Sequence, residues 1–243
     1  MASTSETGHG VNISNFKLLL DKCAVVPNYN PSNPDLTIPN MTMRWQTADN
    51  AHQTVITAVA QSKDPINQRE LLFKPNDKLV TRTLNYFEST KANKSVKKDA
   101  KGVADKIRGF NTKIPKLPDG TPDPAHVSQS HLSYVQKQLA FKQLIDLYAV
   151  DPNYAPNEIE ITTATLQALH TAMKSANDNI GTIIAPVQSA RVTRDNALYK
   201  ADTGMVDIAL ACKDYIISLL GAKKPETKLF TSIKFTRPRK KSS

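Results

Sequence analysis

The chain has 243 residues, 40% of them apolar but only 6% aromatic, and 32 Lys and Arg against 22 Asp and Glu give it a formal charge of +10. That length can bury a sizeable core, and few aromatics, few glycines and frequent alanine favour helices over sheets, which prefer β-branched and aromatic residues. No apolar run reaches the ~18 residues of a spanning helix, and the first residues lack the basic-then-apolar pattern of a secretory signal.

Residues 1–10, "MASTSETGHG", read as a short disordered lead. The first informative stretch is 16–31, because it returns 125 positions later as 141–156 with ten of sixteen residues identical. Weaker matches continue: "QS" at 61–62 and 188–189, "LFK" at 72–74 and "LYK" at 198–200, "LV" at 79–80 and "MV" at 205–206. The expected organisation is therefore a tandem duplication, with repeat unit one at 11–114 and repeat unit two at 128–239. Between them lies a proline-rich linker at 115–127, whose "PKLPDGTPDP" holds four prolines, and a basic tail follows at 240–243.

In repeat one, Ile38, Met41, Trp45, Ala48, His52, Val55 and Val59 keep three-and-four spacing, which predicts a long helix with Pro65 late in it. Repeat two predicts three helices. The first is capped by Ser128 or Ser130 and runs to about Ala149, with an apolar stripe of Leu132, Val135, Leu139, Leu144, Ile145 and Tyr148. The second spans 163–199 on the seam Leu166, Leu169, Met173, Ala176, Ile180, Ile183, Val187 and Ala190, with a kink at Pro186. The third begins near Asp202 or Thr203 and stops at Gly221. The fold class expected is all-α: a three-helix unit (short, long and kinked, short) duplicated and packed as an elongated pseudo-twofold helical bundle.

The repeated nonapeptides "VVPNYNPSN" and "VDPNYAPNE" stand where the first helix turns into the long one. Proline and asparagine there suit a turn, while Asn28–Tyr29 and Asn153–Tyr154 as a paired ligand site remain the alternative. Cys23 and Cys212 fall on apolar helix faces and read as buried free thiols, consistent with a reducing, cytoplasmic setting.

Charge is concentrated. Residues 91–116 hold nine basic and two acidic side chains, and 223–243 hold eight basic and one acidic. The candidate polyanion contacts are Lys94, Lys97, Lys98, Lys101, Lys106 and Arg108 in the first segment. In the second they are Lys223, Lys224, Lys228, Lys234, Arg237, Arg239, Lys240 and Lys241. Such residues neutralise phosphates without reading sequence, and solvated basic segments are the competing interpretation. Few aromatics accompany them, so stacking on single strands is not indicated.

Catalytic signatures are missing. There is no CxxC, HExxH, pair of Glu-x-x-His motifs, P-loop or dinucleotide fingerprint, so no metal, cofactor or catalytic residue is assigned. His52, in the seam, reads as a core residue or register device, and Arg194 as a side chain reaching out of the bundle end. The segments "ARVTRDNALY" (190–199), "VDIALACKDYI" (206–216) and "IKFTRPRKK" (233–241) resemble a group of uncharacterised bacterial proteins built of duplicated helical units. The resemblance implies that fold and a bacterial origin, and it carries no activity. The function expected is a non-enzymatic structural or protein-interaction role, including self-association; the alternative is nonspecific nucleic-acid or polyanion binding through the two basic segments.

Overall fold

The computed structural model describes residues 8–109 and 133–238, and among these every regular element is helical. In order they are α1 (His9–Ala24), a 3₁₀ turn (Pro34–Leu36), α2 (Ile38–Phe73), α3 (Asn76–Ser89) and α4 (Lys94–Arg108). Then come α5 (Tyr134–Val150), a second 3₁₀ turn (Ile159–Ile161), α6 (Thr163–Asp178), α7 (Ile180–Tyr199), α8 (Met205–Leu220) and α9 (Pro225–Thr231).

Local chemistry sets most of these limits. Asn93 and Thr162 accept backbone N–H bonds from Ser95 and Thr165 at the starts of α4 and α6. Gly109 (φ 73°) and Gly221 (φ 94°) end α4 and α8 in conformations open to glycine. The cap of α5 is Ser133, which accepts from the Gln136 N–H at 3.2 Å, not Ser128 or Ser130, which lie outside the described residues. The reason is the S-x-x-Q spacing from Ser133 to Gln136. On α5 the stripe also shifts: Val135 and Leu139 are exposed, while Ala140, Phe141, Leu144, Ile145 and Tyr148 are buried.

Two further expectations are corrected. The helix predicted over 163–199 is two helices parted at Asn179, and Pro186 sits within α7. The Pro186 ring crowds the carbonyl of residue 182, and the preceding 178–181 are Asp, Asn, Ile and Gly, mostly poor helix formers that absorb the irregularity. In α2, by contrast, Pro65 is accommodated in an unbroken 36-residue helix. The expected three helices per repeat are also exceeded: the basic segments form α4 and α9, so repeat one holds four helices and repeat two, with the break at Asn179, holds five. On α4 the signal is Val96, Ala100, Val103, Ala104 and Ile107, every one on the inner face.

The chain forms two compact units: a discontinuous one, Met1–Ser62 with Ile184–Ser243, and a continuous one inserted between those segments, Lys63–Ile183. The first has a core of Phe16, Leu19, Cys23, Met41, Leu198, Met205, Cys212, Ile216, Phe230 and Ile233. A smaller cluster within it joins Val55 and Ala58 of α2 to Val187 and Ala190 of α7. The second is centred on Phe73, Val80, Phe87, Ala104, Ile107, Phe141, Leu144, Tyr148, Leu166 and Met173. The compact units and the sequence halves are thus different divisions of the chain. In the first unit α1 packs on α8, and in the second α5 packs on α3, α4 and α6.

Inside each unit the same contacts recur at matched positions. Tyr29 donates to the Leu36 carbonyl at 2.7 Å and meets Tyr215 edge-on at 5.3 Å. In the other unit Tyr154 donates to the Ile161 carbonyl at 2.8 Å and meets Tyr86 edge-on at 5.3 Å. Lys17 pairs with Asp21 on α1 and Lys142 with Asp146 on α5. Where Cys23 touches Cys212 across α1 and α8, Tyr148 touches Thr83 across α5 and α3.

Candidate functional site

Three features are candidates for chemistry: the basic segments, the histidines, and the repeated corners. On α4 the basic residues divide. Lys94, Lys98 and Lys101 lie at four-and-three spacing on the exposed face. Lys97 instead donates to the Glu88 and Thr90 carbonyls at 2.8 and 2.6 Å, closing the C-terminal end of α3. Arg108 is turned inward, donating to Thr81 Oγ1 at 3.1 Å and pairing with Asp105 at 2.5 Å, with both side chains only 12% exposed. Lys106 is half-buried.

In the first unit Lys223 and Lys224 occupy the exposed α8–α9 connection, and Lys228 follows on α9. Beyond α9 the chain runs without regular structure to residue 238 and is held by side chains. Asn12 clamps Thr236 by donating to its carbonyl at 2.7 Å and accepting from its N–H at 3.0 Å. Asn15 donates to the Lys234 carbonyl at 2.8 Å, and Lys213 donates to the Ile233 carbonyl. Ile233 and Phe235 turn to the core, Lys234 points out, and Arg237 pairs with Asp207. Arg239, Lys240 and Lys241 lie outside the described residues. The basic residues therefore gather as two exposed groups, one per compact unit, with Lys97, Arg108 and Arg237 committed to internal contacts.

The histidines behave differently. His170 is buried in the second unit, between Gln138 at 2.5 Å and Gln167 at 3.3 Å, and burial followed by the charge of Lys142 pushes its pKa down. His9 places Nδ1 2.9 Å from the Tyr199 hydroxyl, with the His52 ring 6.4 Å away. Burial, and then the Arg194 guanidinium, lower the His9 pKa. His52 is half-buried, and its Nδ1 finds no hydrogen-bond partner among the described residues. It lines a cleft of about 360 Å³ with Ser14, Lys17, Trp45 and Asp49 between α1 and α2. Lys17 stands 5.5 Å from the centre of the Trp45 ring. Arg194 does not reach out to water: its side chain is 12% exposed and its Nε and Nη2 bond Asp195 at 2.9 and 2.7 Å. Among the described residues, no three His, Cys, Asp or Glu side chains converge as metal ligands, and no helix is long and apolar enough to cross a membrane.

The corners are built as turns. Tyr29 and Tyr154 point inward and bond the following 3₁₀ turn, Asn28 adopts a left-handed φ of 61°, and Asp151 Oδ1 accepts from the Asn153 N–H at 2.9 Å. What each corner shows to solvent is a valine, Val25 at 80% exposure and Val150 at 77%. One arrangement escaped sequence reasoning altogether. The two cysteines, far apart in the chain, lie with their sulfurs 3.4 Å apart in the first core. Their spacing carries no motif, and only the docking of α1 on α8 brings them together. No protein family matches the chain, and no curated protein or solved structure is significantly similar to it.

Proposed function

We propose that the protein is a non-catalytic interaction scaffold, a duplicated helical segment that presents one corner twice and associates with copies of itself through it. The observation that carries this reading is the pair of exposed valines, Val25 and Val150, each at a corner whose tyrosine bonds the next turn. A rigid corner with an apolar tip loses little entropy on docking, so even a small contact contributes. The matched tyrosine hydrogen bonds, the matched Lys–Asp pairs on α1 and α5, and the ten identical residues all support the duplication.

The test is molar mass against concentration by sedimentation or light scattering. The wild-type mass is expected to rise with concentration. The Val25→Asp/Val150→Asp variant is expected to stay monomeric with an unchanged helical spectrum, because burying one valine is worth about 1.5 kcal/mol, roughly tenfold in affinity. A wild-type chain that remains monomeric throughout removes the self-association reading.

A second reading has its own observation, the exposed row Lys94, Lys98 and Lys101 on α4. If it binds a polyanion, affinity for duplex DNA of arbitrary sequence falls roughly fortyfold between about 50 and 200 mM salt for three neutralised phosphates. Replacing the three lysines by glutamine then flattens that dependence. Substitution is the right tool, since deleting residues 223–243 would also remove the core residues Phe230 and Ile233. No binding at low salt discards this reading.

A further inference from the structure

We infer that Cys23 and Cys212 are a redox modification site: a dithiol that closes to an intramolecular disulfide and staples α1 to α8. The two Sγ atoms are 3.4 Å apart, both residues are fully buried, and the Tyr29 hydroxyl lies 3.5 Å from Cys212 Sγ. Bond formation needs the sulfurs to close to about 2.05 Å, a shift of little more than an ångström shared between two side chains. Neither cysteine has a second thiol partner, since the sequence contains only these two.

Access comes from the end of α1. Cys23 is the penultimate residue of that helix, and the corner beyond it, including Val25 and Asn28, is exposed. Helix termini open at a fraction of the free energy of global unfolding, so the pair is reached without melting the unit. The two sulfurs are not equivalent. Hydrogen bonds from Cys23, and then from Tyr29, pull the Cys212 pKa down against its burial, with the Lys213 charge helping. The bond to Cys212, followed by burial, pushes that of Cys23 up. Either sulfur can begin the exchange, and the other, 3.4 Å away, then closes the bond.

With a small-molecule disulfide as oxidant, the thiolate of one cysteine attacks one of its sulfurs and expels one small thiolate, leaving a mixed disulfide. The other cysteine yields its proton to that thiolate and attacks the Sγ of the mixed disulfide, expelling the second. The protein gives up two hydrogens, and the small disulfide gains them as two thiols. The matched position in the other compact unit holds the hydroxyls of Tyr148 and Thr83, 3.2 Å apart, which pack similarly but cannot cross-link. Only the first unit is lockable by oxidation.

The experiment is incubation of the reduced, native, full-length protein with oxidised glutathione. Intact mass, thiol titration after denaturation, and Tm are then read. Expected are the loss of two hydrogens, no remaining free thiol, a peptide linking Cys23 to Cys212, and a Tm rise of about 5 °C or more that a dithiol reductant reverses. Cys23→Ser and Cys212→Ser chains should show no such rise. Two glutathione adducts per chain, disulfide-linked dimers, or thiols that stay reduced while the protein is native would each overturn the inference. A linked pair without a Tm rise overturns the staple.

Discussion

Produced separately, residues 1–114 and 128–243 are each expected to show no cooperative unfolding transition, and mixing the two fragments is expected to restore it. Each fragment corresponds to one repeat of the sequence, yet neither contains a whole core. The first core takes Phe16, Leu19 and Cys23 from one fragment and Met205, Cys212 and Ile216 from the other. The second takes Val80, Phe87 and Ile107 from one and Phe141, Leu144 and Tyr148 from the other. A domain of this kind is stable by only about 5–15 kcal/mol, far less than the apolar burial that separation removes. Self-pairing of one fragment is a poor substitute, because Cys23 against Thr83 would leave a void where Tyr148 fits. Circular dichroism melts of each fragment and of the mixture decide the matter. A lone fragment melting as sharply as the full chain would refute the composite units.

Helix existence was legible because burial every three or four residues is a local signal. The seam of Leu166, Met173, Val187 and Ala190 is buried as its spacing predicts, and α8 ends at Gly221. What stayed hidden is set by contacts distant in the chain. Val135 and Leu139 fit the stripe of α5, yet they stand exposed while Gln138 is buried against His170. The break at Asn179 reflects a balance between Pro186 and weak helix formers that the seam periodicity masks. The repeat was visible as ten identities in sixteen residues, but which helix docks on which was not. Internal similarity gives the units of sequence, whereas compactness depends on pairings that no local pattern encodes. The basic segments were found as charge, and their division into exposed lysines and the inward Lys97 and Arg108 required the packing of α4 on α3. The thiol pair is the clearest case: its two residues meet only because α1 and α8 do.

Tyr154→Ala is expected to be the most damaging single substitution considered, at about 3–5 kcal/mol, the range for emptying a buried aromatic site. Tyr154 is buried, and its ring stacks on Tyr148 with centroids 4.1 Å apart and planes 2° from parallel. Tyr86 and Phe87 meet the same ring edge-on at 5.3 and 5.8 Å. Truncation therefore strips one member from a four-ring cluster and also deletes the hydroxyl that donates to the Ile161 carbonyl at 2.8 Å. That carbonyl belongs to the turn leading into α6, so the loss reaches both the packing and the direction of the next helix. Tyr154→Phe separates the two contributions: the stack survives, and the cost is expected to fall to about 1–3 kcal/mol for an unsatisfied buried acceptor. Tyr29→Phe should behave like Tyr154→Phe, because Tyr29 makes the matching bond to Leu36 at 2.7 Å in the first unit. Urea midpoints for the three variants measure these differences. A Tyr154→Ala chain within 1 kcal/mol of wild type, on the ~1 kcal/mol scale of an ordinary substitution, would mean that the corner is held by its prolines and asparagines alone. The repeated tyrosine would then have no structural role in the scaffold proposed for it.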